Sequence, residues 1–145
     1  MSFLRMAHRL TSHHRALYSP QYYSGTCAHI TTTSVYRAPF DIKDEEDFNK
    51  RVLQATKPTV VDFHANWCNP CKVLTPRLDA IIAEQDGKVD LAKVDIDVMG
   101  ELAFNFGVNA VPTVIGMKGG KVINKFEGVV EPPQIRHFIE QLTKA

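Results

Sequence analysis

No stretch of this chain reaches the ~18 apolar residues of a membrane-spanning helix, so no segment reads as one. There is no dense run of Lys and Arg and the net charge is +1, so the electrostatic footprint of a nucleic-acid binder is missing. No internal repeat or low-complexity segment stands out. Cysteine is scarce, with three in 145 residues. Acid is missing altogether from residues 1–40, which hold Arg5, Arg9, Arg15 and Arg37 and therefore carry +4, whereas residues 41–145 hold 13 Lys plus Arg against 16 Asp plus Glu and carry −3.

The acid-free segment is rich in Ser, Thr, His and Tyr. Met1 to Leu17 can form a helix with Phe3, Met6 and Leu10 on one side and Arg5 and Arg9 elsewhere. An Arg-rich, Ser-rich, acid-poor amphipathic segment is the composition of an organellar transit peptide; a plain tail is the alternative. A secretory signal does not fit, because an uninterrupted apolar core of ~7–15 residues is lacking. The expected division is a mitochondrial transit peptide over residues 1–38 and one folded domain over residues 39–145. Cleavage on import would remove Cys27 and leave two cysteines.

The length suits one ordinary domain with a tail, and 44% hydrophobic with 23% charged residues are globular values. A weak strand is expected at Phe40 to Ile42. Asp44-Glu45-Glu46-Asp47 suits the first turn of a helix, where the dipole favours acids. Phe48, Val52 and Ala55 continue that helix at helical spacing until Lys57-Pro58 ends it. Thr59 to Ala65 is short and β-rich, as a buried strand is. Leu74, Leu78, Ile81, Ile82 and Gln85 mark a helix from Cys68, with Pro76 expected to kink it. Val89 to Ile96 reads as a strand, Met99 to Phe106 as a short helix, and Pro112 to Met117 and Lys121 to Phe126 as a hairpin about Lys118-Gly119-Gly120. Ile135, Phe138, Ile139 and Leu142 mark a closing helix. The order βαβαβαββα implies an α/β domain: a mostly parallel sheet with helices on both faces and an antiparallel edge from the final hairpin.

The densest chemical signal is Trp67-Cys68-Asn69-Pro70-Cys71-Lys72. It puts a dithiol where a strand hands over to a helix. A helix N-terminus carries partial positive charge and unpaired N–H groups, which stabilise a thiolate, the nucleophile of disulfide exchange. Cys-x-x-Cys near a βαβ pattern reads as a redox motif. Two other readings remain. A zinc site needs two further ligands, and Cys27 and the single nearby His64 do not complete a set. Two inert buried cysteines are also possible, since free Cys packs as a small hydrophobe; the flanking Trp67, Asn69, Pro70 and Lys72 argue against that.

Val60-Val61-Asp62-Phe63, Trp67-Cys68-x-Pro70-Cys71-Lys72, Pro76, Lys93-Val94-Asp95, Val111-Pro112-Thr113, Gly119-Gly120 and Gly128 together resemble the thioredoxin family, in order and spacing, over residues 40–145. With Asp62-Phe63-His64-Ala65 and the N-terminal extension, the chain is most similar to the mitochondrial branch. The resemblance implies the thioredoxin fold, a central mixed sheet flanked by helices on both faces, and disulfide reduction through a mixed disulfide. It implies Cys68 as nucleophile, a more deeply placed Cys71 as resolving thiol, and a Cys68–Cys71 disulfide in the oxidised form. Asp62 would accept the Cys71 proton through water, with Lys93 as its charge partner. Trp67, Pro70, Val111 and a cis Pro112 would frame and bind the substrate strand. A monomer in the mitochondrial matrix is implied, with no bound cofactor or metal, reduced by thioredoxin reductase and serving thiol peroxidases and other disulfide-bearing clients. A contact-only binding module is disfavoured because both cysteines are present, and a glutathione-linked oxidoreductase because of Trp67 and the Asp62/Lys93 pair. Two positions depart from the family: Asn69 stands where glycine is usual, and His64 where most members have tryptophan. His64 reads as an ordinary half-buried histidine.

Overall fold

The computed structural model describes residues 37–145. The expected targeting segment falls outside them, apart from Arg37 and Ala38, as do its helix and Cys27. The described elements run β1 (Phe40–Asp41), α1 (Glu45–Phe48), β2 (Thr59–His64), α2 (Asn69–Ala83), β3 (Asp90–Asp95), α3 (Gly100–Asn105), β4 (Thr113–Lys118), β5 (Lys121–Glu127) and α4 (Pro132–Lys144). The order matches the pattern read from the sequence.

Local chemistry explains the ends. Asp44 caps α1 by accepting the Asp47 N–H at 2.7 Å, which satisfies one of the orphan donors of the first turn. The expected single helix after it is instead four α-helical residues followed by a π-helical turn over Asn49–Leu53. Phe48 and Val52 are nonetheless both buried, so the spacing identified the inward face and not the winding. α4 opens with a reciprocal Glu131–Gln134 capping box and Pro132 in the first turn. Gly119 and Gly120 have φ of 55° and 75°, values that glycine adopts at no steric cost, and they close the β4–β5 hairpin.

The five strands lie in the order β1-β3-β2-β4-β5. β1 and β2 both run parallel to β3, while β4 is antiparallel to β2 and to β5. The sheet is therefore mixed, with more antiparallel character than alternation of strands and helices suggests. β4 begins at the end of the sheet where β2 and β3 finish, with Thr113 opposite Phe63, and runs back from there. That keeps Val111-Pro112 at the same end of the sheet as the residues following β2.

Alternation along the strands separates two cores. Val61 and Phe63 of β2, with Ala92, Val94, Ile115 and Met117, pack on one face against Phe48, Val52, Leu102 and Ala103. Val60, Leu91 and Val114 face the other way, against Leu74, Leu78 and Ile82 of α2 and Ile135, Ile139 and Leu142 of α4. Because side chains alternate with period two, Asp62 falls on the α2–α4 face beside Val60, beneath the helix that carries the cysteines.

Candidate functional site

β2 ends at His64, and the turn Ala65-Asn66-Trp67 delivers the chain to α2 with Cys68 as its N-cap residue. The Cys68 Sγ accepts the Cys71 N–H at 3.1 Å. A sulfur thus occupies the place of the usual capping oxygen, where helix dipole and unpaired N–H groups favour negative charge. Pro70 sits in the first turn, where its missing N–H costs nothing. Cys68 and Cys71 are joined as a disulfide with a Cα–Cα distance of 5.3 Å. The expectation that Cys71 lies deeper is not reflected in exposure, since each cysteine is 3% exposed. What distinguishes them is position on the helix: Cys68 caps it and Cys71 lies inside it.

Asp62 is fully buried beneath α2. Its Oδ2 accepts the Thr75 hydroxyl at 2.7 Å, and its Oδ1 has no hydrogen-bond partner in the protein. Burial pushes its carboxyl above the usual range, because a charged form is costly in an apolar setting. The Thr75 hydroxyl opposes that rise most, His64 and Lys93 oppose it through their charge, and Asp79 adds to it.

Lys93 does not pair directly with Asp62, although the two are register neighbours on β3 and β2. Its Nζ lies 3.0 Å from the carboxylate of Asp79 on α2. Asp79 is partly solvated, so an ion pair there avoids the desolvation cost of drawing an ammonium into the dry site of Asp62. Lys93 therefore acts on Asp62 only through its field. Thr75 and Asp79 went unnoticed in the sequence. The available signal was a polar stripe, Cys71, Thr75 and Asp79, spaced four apart along one helix face.

The remaining expected residues gather at the same end. Trp67 is 65% exposed, and its indole N–H donates to Asp97 at 3.1 Å. The Val111–Pro112 peptide bond is cis. Val111 packs against the small cluster of Ala65, Cys68 and Cys71, and the Pro112 carbonyl accepts the Gly128 N–H at 2.8 Å. Pro70 is exposed beside Asn69, and His64 is half-buried. An open groove of about 300 Å³ runs past Cys71 and Thr75 and is bordered by His64, Asn66, Lys72 and Pro76. Among the described residues, no group of three or more His, Cys, Asp or Glu side chains is arranged to hold a metal ion.

A dithiol joined across the first turn of a helix thus lies above a buried carboxyl, with a cis proline at the same end of the sheet. Residues 40–141 match the family model described as Thioredoxin. The chain belongs to the thioredoxin family. It is 47% identical to the bovine protein named "Thioredoxin, mitochondrial", with 88% of this chain and 81% of that one covered. It is 43% identical to the mouse protein of the same name over the same shares. A solved thioredoxin from Malassezia sympodialis is similar in fold, with a TM-score of 0.65, 31% identity, and coverage of 72% of this chain and 90% of that one. The protein is thus a thioredoxin-type disulfide oxidoreductase whose redox-active pair is Cys68 and Cys71. Membership of the thioredoxin family implies a thioredoxin reductase and disulfide-bearing clients as its partners in general.

Proposed function

We propose that this thioredoxin works as a monomer in the mitochondrial matrix, after loss of roughly residues 1–38, and that its clients include thiol peroxidases. The reductant would be a flavin- and NADPH-dependent thioredoxin reductase. The single observation that carries the chemical roles is the Cys68 sulfur at the N-cap of α2, accepting an N–H of its own helix. In the reduced protein the Cys68 thiolate attacks a client disulfide. A Cys68–client bond forms and the other client sulfur leaves as a thiolate. Cys71 then gives its proton to Asp62 and attacks Cys68. The Cys68–Cys71 bond forms, the second client thiol is released, and two electrons have passed to the client. Trp67, Pro70, Val111 and Pro112 frame the approach, with the backbone about Val111 pairing with an extended client strand.

Two observations support the location. The bovine and mouse relatives are named as mitochondrial, and their similarity covers 88% of this chain, more than residues 40–141 alone. The likeness therefore continues into the basic, acid-free segment. The test is reduction of insulin disulfides with NADPH and thioredoxin reductase, set against glutathione as donor. Turnover with the reductase and little with glutathione is expected; preference for glutathione would overturn the assignment of electron source.

A further inference from the structure

Thr75 bonds to one of the two groups proposed to exchange a proton and shares a helix with the other. It lies one helical turn beyond Cys71 and borders the same groove. Its hydroxyl donates to Oδ2 of Asp62 at 2.7 Å. The other oxygen, Oδ1, is buried and has no partner in the protein. A hydroxyl has one proton to donate, and an ionised carboxylate can only accept, so this bond favours the charged form of Asp62. It also holds the carboxyl in one rotation, with a single oxygen left open. The other groups near Asp62 act without touching it. His64 on β2 and Lys93 on β3 favour the carboxylate, Asp79 on α2 disfavours it, and Lys93 is itself held by Asp79.

We propose that Thr75 is the positioning residue of the resolving step: by engaging Oδ2 it keeps Asp62 ready to take the Cys71 proton at Oδ1. The inference rests on the role given to Asp62 above. The proton leaves the Cys71 sulfur and ends on Oδ1. Thr75 keeps its own proton throughout, and no electron passes through it.

The test uses the full chain reduced in advance with dithiothreitol and mixed with insulin, so that no reductase contributes to the pH profile. Trp67 is the only tryptophan and its fluorescence follows a single turnover. Thr75→Val removes the hydroxyl with little change of shape, and Thr75→Ser restores it. Thr75→Val should move the acid limb of the oxidation rate to higher pH and slow the step roughly tenfold on that limb, the loss expected when a hydrogen bond to a charged group is removed. Thr75→Ser should follow the parent profile. In a Cys71→Ser background, where only the first attack occurs, Thr75→Val should change nothing. If Thr75→Val does not fold, Thr75→Ala against Thr75→Ser makes the same comparison. Coincident profiles for parent and Thr75→Val would overturn the proposal, as would a loss by the same factor at every pH, which marks a structural role. Asp62→Asn separates the two layers. If it alters the part of the profile absent from the Cys71→Ser background while Thr75→Val leaves that part in place, only the role of Thr75 falls. If Asp62→Asn leaves that part intact, the role of Asp62 falls and that of Thr75 with it.

Discussion

Replacing Asp62 by Asn should stabilise the oxidised protein at pH 8 and cease to do so near pH 4. In the folded state the Asp62 carboxyl titrates above its reference value of 3.8, chiefly because it is buried. Between the unfolded and folded values the native state therefore binds more protons than the unfolded state. Stability then falls as pH rises through that window, and whatever the protonated carboxyl contributes is present below it. Asparagine has no such window. The size follows from the surroundings. One oxygen of Asp62 has a single hydroxyl partner and the other has none. A buried polar group without a partner costs ~1–3 kcal/mol, and an unpaired buried ion costs several. Asparagine can still accept the Thr75 hydroxyl, as a neutral bond weaker than the charge-assisted one it replaces, and its amide N–H groups meet the same lack of partners. A net gain of about 2 kcal/mol at pH 8 remains, equivalent to roughly 8–12 °C in Tm for a domain near 100 residues. Guanidinium denaturation of both oxidised proteins at pH 4 and pH 8 measures it. A less stable Asp62→Asn protein at pH 8, or a gain of equal size at both pH values, would refute the reasoning.

Three further outcomes follow from the site and the sequence. Cys71→Ser should accumulate disulfide-linked partners on non-reducing gels while Cys68→Ser should neither trap partners nor turn over; the reverse pattern would exchange the two roles. Asn69→Gly, at the exposed first residue of α2, should shift the reduction potential with activity retained. A shift of ~30 mV equals about 1.4 kcal/mol for this two-electron couple, and equilibration of both proteins against glutathione reads it; equal potentials would confine Asn69 to partner recognition. Residues 1–40 fused to a reporter should enter mitochondria and be shortened, and changing Arg5, Arg9 and Arg15 to Glu should stop import, as fractionation and a size shift would report.

The legible parts of this fold are those set by local pattern. Asp62 and Cys68 could be placed from residue types and spacing because the strand is short and apolar and the helix begins at the motif itself. The π-helical turn at Asn49–Leu53 could not, because an apolar spacing of four fits either winding. The direction of β4 was equally hidden in periodicity, since the segment between β3 and β4 is long enough to deliver it either way. Parallel and antiparallel strands can carry the same alternation, so pattern alone does not tell them apart.

The partner of Lys93 was missed for a different reason, one of energy rather than pattern. Asp62 and Lys93 share a face and a register step, and opposite charges so placed suggest a pair. Yet a lysine bonded directly to Asp62 would hold its carboxyl down, and a carboxylate so stabilised is a poor proton acceptor. In the structure Asp79 takes the ammonium at the solvated edge of α2. Asp62 is left with one hydroxyl and the distant fields of His64 and Lys93. Burial raises its proton affinity and Thr75 restrains that rise. A carboxyl balanced in this way suits the proton-accepting role proposed for it. The same residues placed in a tighter ion pair would make a stronger bridge and a weaker base.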